Sequence, residues 1–235
     1  MDVRFTDGQR RRYDLVVGAD GLFSKLRTAV FPDAPRPQYS GQASWRAVLP
    51  RPPEIGCTRI WTGLQTKVGV NPVSRDQMYL FVNEVRATNE HIDPATFVAR
   101  LKALLAPFPA PLVQWMRDQL GEHSSVLYRP LEGMLMPAPW YRGRVLLTGD
   151  AVHATTPHLG SGACIGIEDG LVLGEELATG PLEAALDRFM QRRWERCRMV
   201  VENSMRLGRI EIEGGDKAEH ARIMKDSFEA LALPI

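Results

Sequence analysis

Apolar positions along the 235-residue chain change their period several times, and each change marks an element. Near the N-terminus alternating residues flank Asp7-Gly8, which predicts a hairpin. Two short runs, Leu15-Val16-Val17 and Val145-Leu146-Leu147, show no alternation and fit strands buried on both faces. Each leads into small residues and an acid: Gly18-Ala19-Asp20-Gly21 in one case, Thr148-Gly149-Asp150 in the other. Between them lie four runs of β character, residues 44–49, 58–64, 67–73 and 77–83, separated by polar or Gly/Pro breaks short enough for an antiparallel sheet. Helices are predicted over 94–105 and 111–120, each opening on a proline suited to a first turn, with a strand over 124–129 after them.

After Gly160-Ser161-Gly162, residues Ile165, Ile167, Leu171 and Leu173 recur at near-helical spacing. A long arginine-rich helix over 182–209 places Leu186, Phe189, Met190, Trp194, Cys197 and Val201 on or near one face. Gly214-Gly215 ends it, and 218–231 reads as one more helix. Buried strands followed by helices on either side of a run of short strands give an α/β fold.

The succession of strand, acid, glycine loop and helix over 143–170 describes a ligand site. Glycines let backbone approach a ligand, a helix start offers unpaired N–H groups, and the acid accepts hydrogen bonds from polyol hydroxyls. Together with the Asp20-Gly21 segment, which continues into Ser24 and Arg27, this stretch resembles the paired signatures of the FAD-dependent aromatic hydroxylases. These are flavoprotein monooxygenases with the 4-hydroxybenzoate hydroxylase fold, and the salicylate hydroxylase-like branch is nearest.

The resemblance implies a truncated FAD-binding, Rossmann-like domain (1–35 and 131–180), an inserted antiparallel-sheet substrate domain (36–130) and a C-terminal helical region (181–235). It places Asp20, Gly21 and Arg27 near the FAD pyrophosphate, and Asp150, after Gly149, on the ribityl chain. Pro157 would lie beside the isoalloxazine ring, and backbone of Gly160, Ser161, Gly162, Ala163 and Cys164 at the pyrimidine edge. Many relatives carry Asn where this chain has Cys164. The implied chemistry uses NADH or NADPH as co-substrate and O2, and hydroxylates a small aromatic or heteroaromatic compound through a C4a-hydroperoxyflavin. Such relatives open on a G-x-G-x-x-G unit that is not found in this sequence, so the chain is expected to be the C-terminal part of a hydroxylase. It would work with a missing N-terminal half or as a homodimer, and would not hold FAD stoichiometrically alone. A non-catalytic remnant or partner subunit, or another FAD-binding oxidoreductase, are the alternatives.

A net charge of +1 gives no push toward nucleic acid or an acidic membrane surface, and no apolar run is long enough to span a bilayer. Three cysteines without C-x-x-C spacing favour reduced thiols and a cytoplasmic location. Acids interleave with the arginines of the long helix, which fits a solvated face better than an RNA-binding one. Asp150, His153, His158, Glu168 and Asp169 crowd one segment, but without metal-ligand spacing, so no metal is expected. For the substrate, Lys67, Gly69 and Asn71 alternate with valines and share one strand face. Lys67 is expected to pair with a substrate acid and Gly69 to leave room for its ring, with Arg46 and His158 as further candidates.

Overall fold

The computed structural model of the protein describes residues 1–235. Its strands in chain order are β1 (Asp2–Arg4), β2 (Arg10–Arg12), β3 (Val16–Gly18), β4 (Gln38–Pro50), β5 (Arg59–Thr62), β6 (Thr66–Pro72), β7 (Gln77–Val85), β8 (Val126–Gly133), β9 (Tyr141–Arg142) and β10 (Val145–Leu147). Its helices are α1 (Lys25–Val30), α2 (Phe97–Leu105), α3 (Pro111–Gln119), α4 (Asp150–His153), α5 (Gly162–Leu177), α6 (Leu182–Glu213) and α7 (Lys217–Leu231). The chain forms two compact units, one of Met1–Ser40, Glu132–Ile210 and Asp216–Ile235, the other of Gly41–Leu131 and Glu211–Gly215.

In the first unit, β3 and β10 run parallel with Val16 opposite Val145 and Gly18 opposite Leu147, and β9 adds an antiparallel edge. All three residues of β10 are buried, which is why its sequence shows no alternation. The predicted hairpin forms from β1 and β2, with Gly8 at φ 87° in the turn. Leu146, Leu147, Trp140, Val152, Ile165, Val172, Leu186, Phe189 and Cys197 share one core, so the C-terminal helices pack with the strands that carry the two glycine turns.

One feature of α5 overturns the sequence expectation. Ile167 and Leu171, read as part of its apolar stripe, are 66% and 56% exposed. The buried stripe is Ile165, Asp169, Val172, Leu173 and Glu176, spaced as one helical face but carrying two acids. Arginines of α6 explain them: Arg193 Nε reaches Asp169 Oδ1 at 2.8 Å, while Arg188 Nε and Arg192 Nη1 reach Glu176 at 2.6 and 2.8 Å. The solvated-face reading of α6 therefore holds for Glu195, Arg198 and Glu202, which pair on the surface, and fails for the fully buried Arg193.

In the second unit, the strand order is β5-β6-β7-β4-β8, antiparallel from β5 through β4. Ala43, Trp45, Ala47 and Leu49 of β4 join Val68, Val70, Met78, Leu80 and Val82 on the face packed with Leu101 and Leu105 of α2 and Val113 and Met116 of α3. Trp45 lies 4.6 Å from the Tyr128 ring and 5.4 Å from that of Phe97, the edge and tilted geometries aromatic pairs favour. The opposite face carries three cross-strand rows: Ser44, Asn83 and Lys67; Arg46, Phe81 and Gly69; Val48, Tyr79 and Asn71.

Candidate functional site

The parallel pairing of β3 with β10 continues one step past the strands, where the Thr148 amide donates to the Gly18 carbonyl at 3.0 Å. The Asp20-Gly21 and Gly149-Asp150 turns therefore leave the sheet side by side at the carboxyl ends of neighbouring parallel strands, the position at which open α/β sheets bind ligands. Gly149 sits at φ 59°, ψ −144°, a region closed to residues with a Cβ, and so can turn the chain into α4. Asp150 is exposed, whereas Ala151, Val152 and His153 turn inward.

Gly160, at φ 63°, ends the short 3-10 turn Pro157–Leu159, and Ser161 then caps α5. The backbone approach is tight: a Cβ on Gly162 would stand 2.8 Å from Thr155 Cγ2. Ala163 and Cys164, in the first turn of this 16-residue helix, are exposed, as is Pro157. Their amides belong to the group that a helix leaves without internal partners. Ser161 is itself buried and donates its hydroxyl to the Leu159 carbonyl. His158 Nδ1 lies 3.0 Å from Thr156 Oγ1.

The Asp20 segment is held differently from the expectation. Asp20 Oδ1 accepts from Ser24 Oγ at 2.5 Å, and Oδ2 accepts from the Lys25 and Leu26 amides at 2.9 and 3.1 Å, so the carboxylate caps α1. Burial works to raise its pKa, but the Ser24 hydroxyl and these amides outweigh it and hold the carboxyl below its ordinary range. Arg27 is buried, and its two terminal nitrogens donate to the carbonyls of Ala151 and Leu22, each at 2.7 Å. Its guanidinium thus ties the two turns together rather than pointing outward at a phosphate.

Behind the Gly149 turn lies a buried ionic network. Asp169 Oδ2 accepts from the Gly149 amide at 2.9 Å and meets His153 Nε2 at 2.7 Å, while Oδ1 accepts from Arg193 Nε at 2.8 Å. Arg193 also donates to Glu168 Oε2 and the Ile165 carbonyl, and its Nη2 lies 3.4 Å from Cys197 Sγ. Burial alone would lower the His153 pKa; the bond to Asp169 and the nearby Cys197 overcome it and push it up to about 10. The Trp140 ring packs against His153 in a tilted arrangement, with ring centroids 5.3 Å apart. Asp169 feels burial in the opposite sense, yet His153, the Gly149 amide and Arg193 keep its carboxyl below the usual range. Ligating atoms of His153, Asp169 and Cys197 lie within 4.8 Å of one another. The Arg193 guanidinium already bonds the acid and the thiol, so the cluster is organised around a fixed organic cation.

In the second unit, Lys67, Gly69, Asn71 and Arg46 do share one face, but two of the roles expected of them are filled from within the chain. Lys67 Nζ pairs with Glu211 Oε1 at 2.5 Å, so its charge already has a partner. A Cβ on Gly69 would stand 2.1 Å from the ring of Phe81, its cross-strand neighbour, so Phe81 takes the space the glycine opens. Asn71 Oδ1 is bonded by the Thr58 hydroxyl at 2.5 Å. Arg46 lies over Tyr79 at 5.9 Å, with only a long 3.4 Å contact from Nε to Ser44 Oγ.

Two stretches of the chain thus bring together glycine turns, an outward acid and a helix start, and comparison with known proteins gives the arrangement a class. Residues 2–206 match the FAD binding domain family, and the chain belongs to that family. The chain is 34% identical to 2-heptyl-3-hydroxy-4(1H)-quinolone synthase of Pseudomonas aeruginosa over 212 residues, 88% of this chain and 54% of that one. It is 33% identical to aurachin C monooxygenase/isomerase of Stigmatella aurantiaca over 213 residues, again 88% of this chain and 54% of the other. The structure of Klebsiella pneumoniae HpxO complexed with FAD and uric acid superimposes with a TM-score of 0.82 at 28% identity, covering 98% of this chain and 60% of that one. The chain spans just over half the length of the curated relatives it matches.

Sequence reasoning missed the dual role of Asp169 and the inward turn of Arg193. The two residues stand 24 positions apart, and no local pattern joins them. The only signal was the crowding of acids and histidines over 150–169, which had been weighed for a metal.

Proposed function

We propose that this chain supplies the ribityl-binding and substrate-facing parts of an FAD- and NAD(P)H-dependent monooxygenase acting on a small heteroaromatic compound. One observation carries the reading: the Gly149-Asp150 turn lies at the end of a parallel strand pair and is bonded to α5 through Asp169, with the first turn of that helix exposed. A polyol meets Asp150 there, and amides of Gly162, Ala163 and Cys164 offer positive potential to an electron-rich ring. The donor set fits FAD. Glycine backbone allows close approach, and the acid is exposed and free to accept hydroxyl protons.

FAD, when bound, supplies two-electron reduction from NAD(P)H and activation of O2. The balance is one NAD(P)H, one proton and one O2 consumed for each oxygen inserted and each water released. The chain's own residues would bind and orient FAD: Asp150 would hold the ribityl chain, the α5 amides would favour negative charge on the ring, and Pro157 and His158 would help to enclose it. On the sheet face Arg46 is the cation with no acid partner and so the one available to an acidic or carbonyl-bearing substrate, since Lys67 is paired. The relatives named for quinolone, aurachin and urate chemistry support a nitrogen heteroaromatic substrate class.

Asp150→Ala, made in the chain joined to an upstream half that carries the G-x-G-x-x-G unit, tests the cofactor part. Loss of a charge-assisted hydrogen bond predicts FAD affinity lower by roughly 10- to 100-fold in fluorescence titration. An unchanged dissociation constant sinks the assignment. Incorporation of one atom from ¹⁸O₂ into a heteroaromatic acid, with NAD(P)H oxidation stimulated by that acid, tests the reaction. Oxidation without oxygen insertion points instead to another flavin oxidoreductase.

A further inference from the structure

Nothing in Gly149 itself selects its conformation. A glycine reaches positive and negative φ about equally well, so the aim of the residue that follows it has to be imposed from outside. Three hydrogen bonds impose it here. The Gly149 carbonyl accepts from the Val152 and His153 amides at 2.9 and 3.0 Å, and the Gly149 amide donates to Asp169 at 2.9 Å. The first two are internal to α4, whereas the third ties the Gly149 amide itself to α5; Arg27 holds the turn two residues further on, at the Ala151 carbonyl. Asp169 is fully buried, at the start of the third turn of α5, and it is held in turn by His153 of α4 and Arg193 of α6. An apolar cluster would pack such a place with no desolvation cost, whereas a buried carboxylate is retained only against that cost.

We infer that Asp169 is a positioning residue for the cofactor turn: gripped by His153 and Arg193, it holds the Gly149 amide and thereby aims the Asp150 carboxylate outward from the end of β10. The inference rests on the reading that Asp150 meets the flavin ribityl chain. His153 and Arg193 act through Asp169 and not on the cofactor. The arrangement makes three helices converge on one oxygen pair, so a displacement of α5 or α6 is transmitted to the Gly149 turn.

Amide hydrogen exchange on the 235-residue chain, followed by NMR, tests the grip directly. In the unmodified protein the Gly149 amide should exchange far more slowly than in an unstructured peptide; exchange at the peptide rate would overturn the inference without any variant. Asp169→Asn should speed Gly149 exchange by about tenfold or more, as expected for loss of a charge-assisted bond, while the amides of Val172 and Leu173 keep their protection. Equal acceleration along all of α5 would mean that the acid merely stabilises the helix.

FAD titration of Asp169→Asn, Asp150→Ala and the double variant, each in the chain joined to an upstream half that carries the G-x-G-x-x-G unit, then tests the link to the cofactor. If Asp169 acts through Asp150, its substitution weakens FAD binding several-fold alone and adds almost nothing once Asp150 is gone. Additive losses would refute the positioning role while leaving Asp150 as a ligand. No loss from Asp150→Ala would instead bring down the reading of the site itself. Asp169→Glu, which keeps the charge but lengthens the arm, should recover less than half of the Gly149 protection.

Discussion

Replacing Arg193 with methionine should cost more stability than any other single arginine change in the protein. Its guanidinium is completely buried and makes four contacts, to Asp169, Glu168, the Ile165 carbonyl and Cys197 Sγ. Methionine fills a similar volume, so packing changes little, but Asp169 Oδ1 is left with only the Cys197 thiol at 3.9 Å. Breaking a buried pair from one side costs about 3–5 kcal/mol, because the remaining charge stays out of water without compensation. For a chain of this length roughly 2–4 °C is lost per kcal/mol, which predicts a fall in melting temperature of about 6–20 °C. Near-UV circular dichroism is a suitable probe, since Trp140 lies 5.3 Å from the His153 ring and 6.0 Å from Trp194. Arg198→Met supplies the control: its partners Glu195 and Glu202 are exposed, and such pairs are worth little. A shift below about 3 °C for Arg193→Met, or one equal to that of Arg198→Met, would refute the claim that the buried network is ionised and tightly coupled.

Three further outcomes are expected. Folding raises His153 from 6.5 to about 10, so the stability it contributes is complete below pH 6.5 and drains away as pH climbs toward 10; for Asp169, lowered from 3.8, the contribution is complete above that value and is lost on acidification. Urea midpoints measured from pH 4 to pH 10 should therefore fall at the alkaline end, and His153→Gln should flatten that limb; a midpoint constant between pH 7 and 10 would contradict the assignment. Gly69→Ala drives a methyl group into the Phe81 ring and should cost about 1–3 kcal/mol, with Phe81→Ala in the same chain recovering much of the loss; an undiminished melting temperature in the single variant would show that the ring moves aside freely. Asp20→Ala removes the cap of α1 and should cost about 0.5–2 kcal/mol in denaturant unfolding, and no change would mean that Ser24 caps the helix alone.

The parts of the fold that the sequence exposes are those governed by short-range rules. The unalternating runs marked the positions of β3 and β10, although only β10 is buried on both faces and Val17 of β3 is exposed; glycines marked the turns at 8, 21, 149 and 160, and Pro111 the start of α3. The candidate cofactor turn was legible for the same reason, because glycine, acid and helix start follow one another along the chain. What stayed hidden depends on partners far away in sequence. Arg27 meets Ala151 across 124 residues and Lys67 meets Glu211 across 144, and neither pairing leaves a local trace. The buried face of α5 was misjudged because hydrophobicity marks acids as outward, and only the arginines of α6 reverse that rule for Asp169 and Glu176.

The parallel pairing of β3 with β10 also constrains the order in which the protein can fold. Neither turn of the candidate site reaches its final form until residues separated by 124 to 129 positions meet, and Arg27 cannot lock onto the Ala151 carbonyl before α4 exists. Closing a loop of that length costs about 2 kcal/mol more entropy than closing one of a dozen residues. The second unit supplies a shortcut, since β4 and β8, the first and last strands of its segment, are neighbours in its sheet. A sheet that has already formed there turns a long search into a short one, so substitutions in Trp45 or Val82 should slow the appearance of the Gly149 turn without touching it.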